Sequence, residues 1–414
     1  MEEQVTRAPS WYRFVIGLLV CVSQMVIIVS FSLVSPLVTV ISRDTGIELS
    51  LVGYLATAFM LSVGVSVMGA TFILEKLGVR RSMILAMTLS ATGGIGMLWA
   101  EGLPAMLVCR IVAGTGLGIV GTVFSAVTVE WFPQRERPGF VTVYTLSSSL
   151  VSAACFAVAI PLLSWLQNSW RMEFALLGFA AAVMALAWVV LGRDASKTVG
   201  EHRPLRASRG GLLEALKRRD VRIITYASAT AAIAENVLIT YLPSFLETVR
   251  GYNADRASLY AGLVATVGIG GTVVGGVVSS VLGRRRPVFI LGAAAAAVSL
   301  ALLLVAKSTP LLLLGIVLFG FMYRYKLPAL QTAMTELPGV TPAIAAGGYG
   351  LMFGIGYILG IFTPRVMSVI TQAFGMKAAM LLFAGLMGVS AVISCWIRET
   401  GPRDSHSAVG SSRR

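Results

Sequence analysis

The sequence predicts an all-α membrane protein whose transmembrane helices form two repeated six-helix halves. The prediction depends on three observations: a low content of charged residues, regularly spaced apolar runs, and motifs that recur at a near-constant offset. The chain has 414 residues, of which 56% are hydrophobic and 13% charged, with a mean hydropathy of +0.83. Soluble domains are about 25% charged, so this composition excludes a soluble enzyme and a nucleic-acid-binding domain, despite the net charge of +14.

Twelve apolar runs account for most of the chain. A helix needs about 20 apolar residues to cross the hydrocarbon core, and the alternating segments of a membrane β-barrel do not occur. The predicted spans of the first half are 14–37, 51–74, 82–100, 104–128, 139–161 and 172–191. Those of the second half are 222–244, 258–282, 288–306, 310–333, 342–365 and 377–397. Glycine runs in the fourth, eighth and eleventh spans predict close helix packing.

The basic residues are distributed unequally between the two sides of the predicted membrane. If the N-terminus is cytoplasmic, about two thirds of the 33 lysines and arginines fall on the cytoplasmic side, where loops are enriched in positive charge. The distribution therefore predicts a multi-pass plasma-membrane protein with both termini in the cytoplasm.

The polar segment 192–221 interrupts the apolar pattern with arginine, lysine, glycine and serine. We expect an N-terminal six-helix bundle over 1–191, a basic cytoplasmic linker over 192–221, a C-terminal bundle over 222–397 and a cytoplasmic tail over 398–414. A short amphipathic helix at 212–219 would lie along the anionic leaflet. The linker is either a solvated connector or a regulatory segment.

Several motifs of the first half recur in the second at offsets of 203 to 206 residues. The matched pairs are Gly78 and Gly283, Glu130 and Glu336, Pro133 and Pro338, and Pro161 and Pro364. Each of the two glycines is followed by a run of arginines. Internal repeats of this kind build secondary transporters, in which the substrate site lies near mid-membrane between the repeats.

The segment 71–81 resembles the signature loop of the major facilitator superfamily, Gly-x-Leu-x-Asp-Arg-x-Gly-Arg-Arg. It departs from that pattern with Thr71 in place of the first glycine and Glu75 in place of the aspartate. Its copy after the eighth span, 276–285, has Ser280 in place of the acid. The fourth span, with Arg110 followed by glycines, and its exit at 130–133 are also similar to the family pattern.

The resemblance implies the major facilitator fold and transport of a small molecule by alternating access. Among branches, the chain is most similar to bacterial organic-anion and cyanate-type permeases, which implies a bacterial inner-membrane location. Such a protein is not an enzyme and needs no cofactor or metal. The expected partners are the lipid bilayer, a small anionic substrate and protons or another coupling ion. We expect a monomer and no nucleic acid.

Arg324 and Lys326, in the middle of the tenth span, are the most unusual charges of the chain. Residues two apart on a helix differ by about 200° in direction, so the two cannot face the same way. A guanidinium binds carboxylates in a bidentate fork, and Tyr323 and Tyr325 would add hydroxyls. We therefore expect Arg324 to bind an anion, with Lys326 as second candidate. The alternative is a structural ion pair with Glu235 or Glu336.

Three further polar residues are candidates for the transport site. Glu235 in the seventh span is identified as the one carboxylate well inside a span, and is either the proton carrier or a counter-ion for the tenth span. In the family, the arginine at the position of Arg110 is associated with proton coupling; alternatively it binds carbonyl groups of a neighbouring helix. Gln24 and serines of the first and fifth spans could line the cavity.

Charged residues at the cytoplasmic ends of the spans form a candidate gating set. The set comprises Glu75, Lys76, Arg80, Arg81, Glu130, Arg284, Arg285 and Glu336. The resemblance implies a conformational latch, in which these charges pair across the two bundles when the cytoplasmic side is closed. The alternative is that they serve only to set the orientation.

The function that these observations predict is proton-coupled transport of a small organic anion of the carboxylate type. The alternative is a proton-driven multidrug or metabolite exporter. Against it, the fifth span lacks the glycine-proline pattern of proton antiporters and carries serines over 147–152 instead. Cations in the cavity would also repel lipophilic cationic drugs. A transport-inactive receptor would need an appended soluble domain.

Overall fold

The computed structural model describes residues 11–401 except 48, 168 and 195–210. All regular elements of the described residues are helices. Those of the first half are α1 (Tyr12–Ser32), α2 (Val34–Thr45), α3 (Leu49–Val52), α4 (Tyr54–Gly96), α5 (Gly102–Trp131), α6 (Arg137–Trp165) and α7 (Trp170–Leu191). There follow α8 (Gly211–Lys217), α9 (Arg219–Thr248), α10 (Ala254–Leu282), α11 (Arg286–Val305), α12 (Thr309–Glu336), α13 (Pro342–Gly360), α14 (Thr363–Phe374) and α15 (Met376–Ser394).

The helices form the twelve predicted spans. Ten helical segments of the described residues are long and apolar enough to cross a membrane. One of them, α4, has 43 residues, about 65 Å at 1.5 Å per residue, which is twice the thickness of the hydrocarbon core. Its backbone turns at Gly78 (φ 77°, ψ 177°), so α4 comprises the second and third spans. The 29-residue α6 corresponds to the fifth. The predicted all-α fold of two six-helix halves is confirmed.

Two predicted spans are broken near the end of the bundle opposite to the arginine runs. The run 14–37 is divided between α1 and α2 at Leu33. Pro36 has no N–H to donate to the carbonyl of Ser32, and this loss explains the break. The run 342–365 is likewise divided between α13 and α14, and Pro364 lies in the first turn of α14. After each break the polypeptide continues beyond the predicted span as an amphipathic helix, α2 in the first case and α14 in the second.

The repeat is present in the structure as two equivalent turns. Gly78 and Gly283 both have positive φ, 77° and 60°, a conformation that is unfavourable for residues with a Cβ. Two residues later, the backbone N–H of Arg80 donates to Asp194 Oδ1 at 3.0 Å, and that of Arg285 donates to Glu399 Oε1 at 2.6 Å. All three equivalences have an offset of 205 residues, so each half closes the same turn with a carboxylate that follows its last span.

The two halves contact each other through glycines. The part of α4 before Gly78 packs against α13, and α6 packs against α10. A Cβ at Gly350 would lie 2.7 Å from the carbonyl oxygen of Val67, and one at Gly354 would lie 2.6 Å from Met68 Cγ. The predicted close packing of the glycine-rich spans is confirmed at these positions, since no larger residue fits without displacing the backbones.

Candidate functional site

An ion pair between α12 and α9 lies near the middle of both helices. The Nη2 atom of Arg324 is 3.2 Å from Oε1 of Glu235. The side chains are 32% and 17% exposed, so the pair is accessible although it lies at mid-membrane depth. This contact is the ion pair given above as the alternative to anion binding by Arg324, with Glu235 as the counter-ion of the tenth span. The structure brings them together in one site.

Aromatic side chains extend from this pair across both halves. Tyr323 lies next to the guanidinium, with its ring centroid 5.9 Å from Cζ of Arg324. Tyr357 of α13 is within electrostatic reach of both charges. Its ring is followed by further aromatic contacts along α13 and into α5 and α6. These contacts are Tyr357–Phe353 at 6.2 Å, Phe353–Tyr349 at 4.5 Å, Tyr349–Phe124 at 5.8 Å and Phe124–Tyr144 at 3.6 Å between centroids.

Sequence reasoning missed the aromatic residues of α13. Tyr349, Phe353 and Tyr357 are four residues apart, a spacing that places them on one face of a helix. That spacing is visible in the sequence and could have identified them. The same segment contains many glycines, which predict a surface for helix packing and make the aromatic face harder to recognise.

Glycines of α10 position α12 and the stem of Arg324. A Cβ at Gly268 would lie 2.8 Å from Arg324 Cγ. A Cβ at Gly271 would overlap the carbonyl oxygen of Phe321, and one at Gly275 would overlap that of Tyr325. The two backbones are therefore in direct contact, and the direction of the Arg324 side chain depends on this contact.

This packing predicts that Gly275→Ala is strongly destabilising. The added methyl group meets a carbonyl group of the α12 backbone, so the two helices must separate, at a cost of about 1–3 kcal/mol. Gly262→Ala in the same helix is the matched control, because nothing lies within 4 Å of its added Cβ. Melting temperatures of the purified proteins in detergent measure the difference. Equal melting temperatures for the two variants would contradict the packing described here.

Lys326 lies inside the C-terminal half, against α11 and α15. Its residue is 3% exposed, and its Nζ lies 4.9 Å from the Tyr323 ring centroid and 3.8 Å from Sδ of Met387. No carboxylate of the described residues lies within ion-pair distance. Tyr325 is also buried and stacks on Phe321. Tyr325 therefore lies away from Arg324, whereas Lys326 and Arg324 both lie over the ring of Tyr323.

Arg110 is buried in the first half and contacts α1. It donates from Nη1 to Ser30 Oγ at 3.2 Å and from Nη2 to the carbonyl of Ser30 at 2.9 Å. Its guanidinium lies between the rings of Phe59 and Phe174, 4.7 and 5.1 Å from their centroids. The geometry is that of the alternative considered for this residue, a bond to the backbone of a neighbouring helix close to the break at Leu33.

Gln24 of α1 is buried, with 7% of its surface exposed. Its Oε1 has no hydrogen-bond partner among the described residues. A second glutamine, Gln331, accepts from Thr145 Oγ1 at 2.9 Å and so joins α12 to α6 across the halves. Gln24 therefore retains hydrogen-bonding capacity that a ligand could use.

The end of the bundle that carries the two arginine runs, here called the basic end, is closed by contacts between the halves. Arg137, the first residue of α6, donates to the carbonyls of Phe132 and Val129 in its own half and to that of Thr335 in the other, the last at 2.7 Å. Next to Thr335, Glu336 accepts two bonds from Arg285, at 2.9 and 3.1 Å, and both side chains are buried. Arg137 is absent from the predicted gating set.

The other predicted gating residues lie at the same end. Glu75 accepts from the backbone N–H of Gly211 at 2.7 Å, and so binds α8, which packs against α13 of the other half. Arg80 donates to the carbonyls of Trp188 and Val189. Of the remaining four, Glu130 is half-buried and three are exposed: Lys76, Arg81 and Arg284. The Arg285–Glu336 pair joins two residues of the C-terminal half, so it is not one of the pairs between the halves that the latch predicts.

Two repeated six-helix halves around an accessible ion pair at mid-membrane depth define a membrane transporter rather than an enzyme. The family model for the Major Facilitator Superfamily matches residues 20–360 and 271–413, so the chain belongs to that superfamily. It is an integral multi-pass membrane protein.

Relatives and solved structures agree with this assignment. The chain is 24% identical to a probable galactarate/D-glucarate transporter of Bacillus subtilis, over 86% of this chain and 84% of that protein. It is 22% identical to a probable sulfoacetate transporter of Cupriavidus necator, over 89% of each. The crystal structure of the major facilitator transporter FucP in the outward conformation matches with a TM-score of 0.76 at 18% identity, covering 94% of this chain and 99% of that one.

Proposed function

We propose that the protein is a secondary active transporter that moves a small organic anion of the carboxylate type by alternating access, with protons as the coupling ion. The observation that carries the proposal is the accessible Arg324–Glu235 pair. A charged residue at this depth is costly unless it has a function or a partner. The partner of Arg324 is a single carboxylate, with Oε1 of Glu235 3.2 Å from Nη2 of Arg324. The carboxylate of an incoming substrate can replace it.

The exchange of carboxylates at Arg324 provides a route to proton coupling. When the substrate binds the guanidinium, Glu235 loses its counter-charge and gains a proton from the solvent. The net charge of the site then stays constant as the anion enters, and this lowers the electrostatic cost of carrying it through the membrane. Two relatives whose names specify organic acids, galactarate/D-glucarate and sulfoacetate, support an anionic substrate.

The contacts between the halves support alternating access. Arg137, Thr335 and the α8 segment close the basic end, while Arg324 remains one-third exposed. We therefore propose that the conformation is open away from the basic end. With the basic end in the cytoplasm, this is an outward-open state of a bacterial inner-membrane monomer with cytoplasmic termini. We also propose the division into 1–191, 192–221, 222–397 and 398–414.

A thermal-shift panel on purified protein tests the proposal. The ligands are galactarate, D-glucarate, sulfoacetate, sulfate, a neutral sugar and a lipophilic cation. A ligand at 100 times its Kd stabilises the folded state by about 2.7 kcal/mol. We expect one of the organic anions to raise the melting temperature of the wild type and of Arg81→Gln, whose side chain is exposed at the basic end, but not that of Arg324→Gln.

Two results would contradict the proposal. Stabilisation of the wild type by the lipophilic cation alone would favour an exporter of cationic drugs. An equal shift by an organic anion in the wild type and in Arg324→Gln would exclude Arg324 as the anion site.

A further inference from the structure

A second carboxyl group is buried in the first half, in the first turn of α7. Glu173 is 1% exposed, and neither of its oxygens has a hydrogen-bond partner among the described residues. It lines a cavity of about 230 Å³ between α1, α6 and α7. The other lining side chains are apolar apart from a cysteine, and include Val29, Leu33, Val158 and Leu176. Sequence reasoning missed Glu173 because it lies one residue inside a predicted span and was not counted as intramembrane.

The titratable and charged groups around Glu173 do not pair with it. Cys155 of α6 lines the same cavity, but its Sγ contacts the carbonyl of Val29 at 3.8 Å. Asp44 of α2 accepts from Trp170 Nε1 at 2.9 Å, and Arg171 of α7 lies over the Trp170 ring. Arg43 of α2 is exposed to solvent. Residues 29–32 of α1, the following Leu33 and residues 82–96 of α4 contain no titratable side chain.

The buried Arg110 contacts the residue that follows Glu173 in the chain. Phe174, next to Glu173 in the chain, stacks on the guanidinium of Arg110. Arg110 is 1% exposed, and its Nε has no partner among the described residues. The first half thus contains a buried acid without a cation and a buried cation without a carboxylate, both on or next to α7.

This arrangement determines the protonation of Glu173 in the conformation described here. An ionised carboxylate that is buried without a partner costs many kcal/mol, whereas the neutral acid costs far less. The acid therefore holds its proton. If α7 shifts relative to α1 and α5, Glu173 can move towards Arg110 or towards water, and the ionised form then gains a partner or hydration.

We propose that Glu173 is a second proton carrier of the transport cycle, loaded in this conformation and emptied when the first half changes its packing around α1. On release, the O–H bond breaks, the proton passes to water and the carboxylate is stabilised by Arg110. The inference rests on the proposed proton-coupled function and adds a site in the half of the molecule opposite to Glu235.

Infrared difference spectroscopy tests the loaded state without any substrate. Between about pH 5 and about pH 9, the wild type is expected to show the carbonyl stretch of a buried protonated carboxyl that disappears as the pH rises. The band is expected to be missing in Glu173→Gln and retained in Glu247→Gln, a matched variant whose carboxylate is exposed in α9. An unchanged band in Glu173→Gln would overturn the proposal, even if no substrate had been found.

Transport by proteoliposomes tests the release step, with D-glucarate, galactarate and sulfoacetate as probes. Glutamine mimics the protonated acid, so Glu173→Gln is expected to exchange substrate at equal pH at about the wild-type rate and to lose about tenfold in accumulation driven by a pH gradient. Glu173→Asp restores a titratable group, and partial recovery is expected. Wild-type accumulation by Glu173→Gln would overturn the carrier role. If no probe binds the wild type, the proposed function fails for these anions, and the infrared result still stands.

Discussion

Neutralising the two members of the Arg324–Glu235 pair is expected to change anion binding in opposite directions. In Arg324→Gln, the guanidinium that binds the carboxylate is lost, and affinity falls by about 100-fold or more, because charge-assisted bidentate bonds are strong at a partly dehydrated site. In Glu235→Gln, the substrate no longer competes with an internal carboxylate, and affinity rises by about tenfold. Isothermal titration with the best anion of the thermal-shift panel measures both values.

The pH dependence of binding provides a second measurement of the same exchange. If Glu235 gains a proton when the anion displaces it, binding takes up a proton, and affinity must rise as the pH falls. Glu235→Gln cannot take up that proton, so its affinity is expected to vary less with pH. Titrations in buffers of different ionisation enthalpy count the protons directly. Equal proton uptake by the wild type and by Glu235→Gln would exclude Glu235 as the displaced group.

The double variant separates binding from stability. Arg324→Gln leaves Glu235 without its partner at mid-membrane depth, and we expect a lower melting temperature. Adding Glu235→Gln removes the isolated charge and is expected to recover the melting temperature but not the anion binding. If the double variant binds the anion as the wild type does, the pair is structural. Arg81→Gln remains the control, because it changes the net charge equally at an exposed position.

Much of the architecture could be predicted from the sequence because the membrane restricts what a span can be. Each span needs a long apolar run. Gly350 and Gly354 indicate where one membrane helix packs closely against another. Broken helices are harder to predict, because an apolar run shows no change at Leu33 where α1 ends. Only the missing N–H of Pro36 indicates that break, and many membrane helices tolerate proline without one.

The candidate site could be predicted only in part, because charges show where partners are needed but not which partners they have. Arg324 and Glu235 were recognisable as costly groups, and their distance along the chain gave no indication of their contact. Arg137 was not recognisable as a contact between the halves, because it binds the carbonyl group of Thr335 rather than a side chain. Every residue has a backbone carbonyl group, so a sequence does not show which of them accepts a hydrogen bond from a side chain.

Removing Arg285 is expected to destabilise the protein more than any other change at the basic end. Its guanidinium donates two bonds to Glu336 and further bonds to the carbonyl and hydroxyl oxygens of Ser279, and both members of the ion pair are buried. Arg285→Met leaves the Glu336 carboxylate buried without that partner, which costs about 3–5 kcal/mol. We expect the melting temperature to fall by about 5 °C or more, while Arg81→Met, at an exposed position, leaves it unchanged.

A compensating variant distinguishes an unpaired charge from lost packing. Replacing both members, with Arg285→Met and Glu336→Leu, removes the buried charge and fills the space with apolar groups, and such exchanges are often neutral or stabilising. Recovery of the melting temperature in the double variant would therefore assign the loss to the isolated carboxylate.

Because Arg137 binds the carbonyl of Thr335 next to Glu336, the double variant is also expected to keep the basic end closed. A cysteine introduced at Thr332, one turn deeper and fully buried, should then stay protected from thiol reagents, whereas Arg137→Gln should expose it. If the double variant were as unstable as Arg285→Met, the bonds of Arg285 to Ser279, rather than the ion pair, would hold this end of the C-terminal half together.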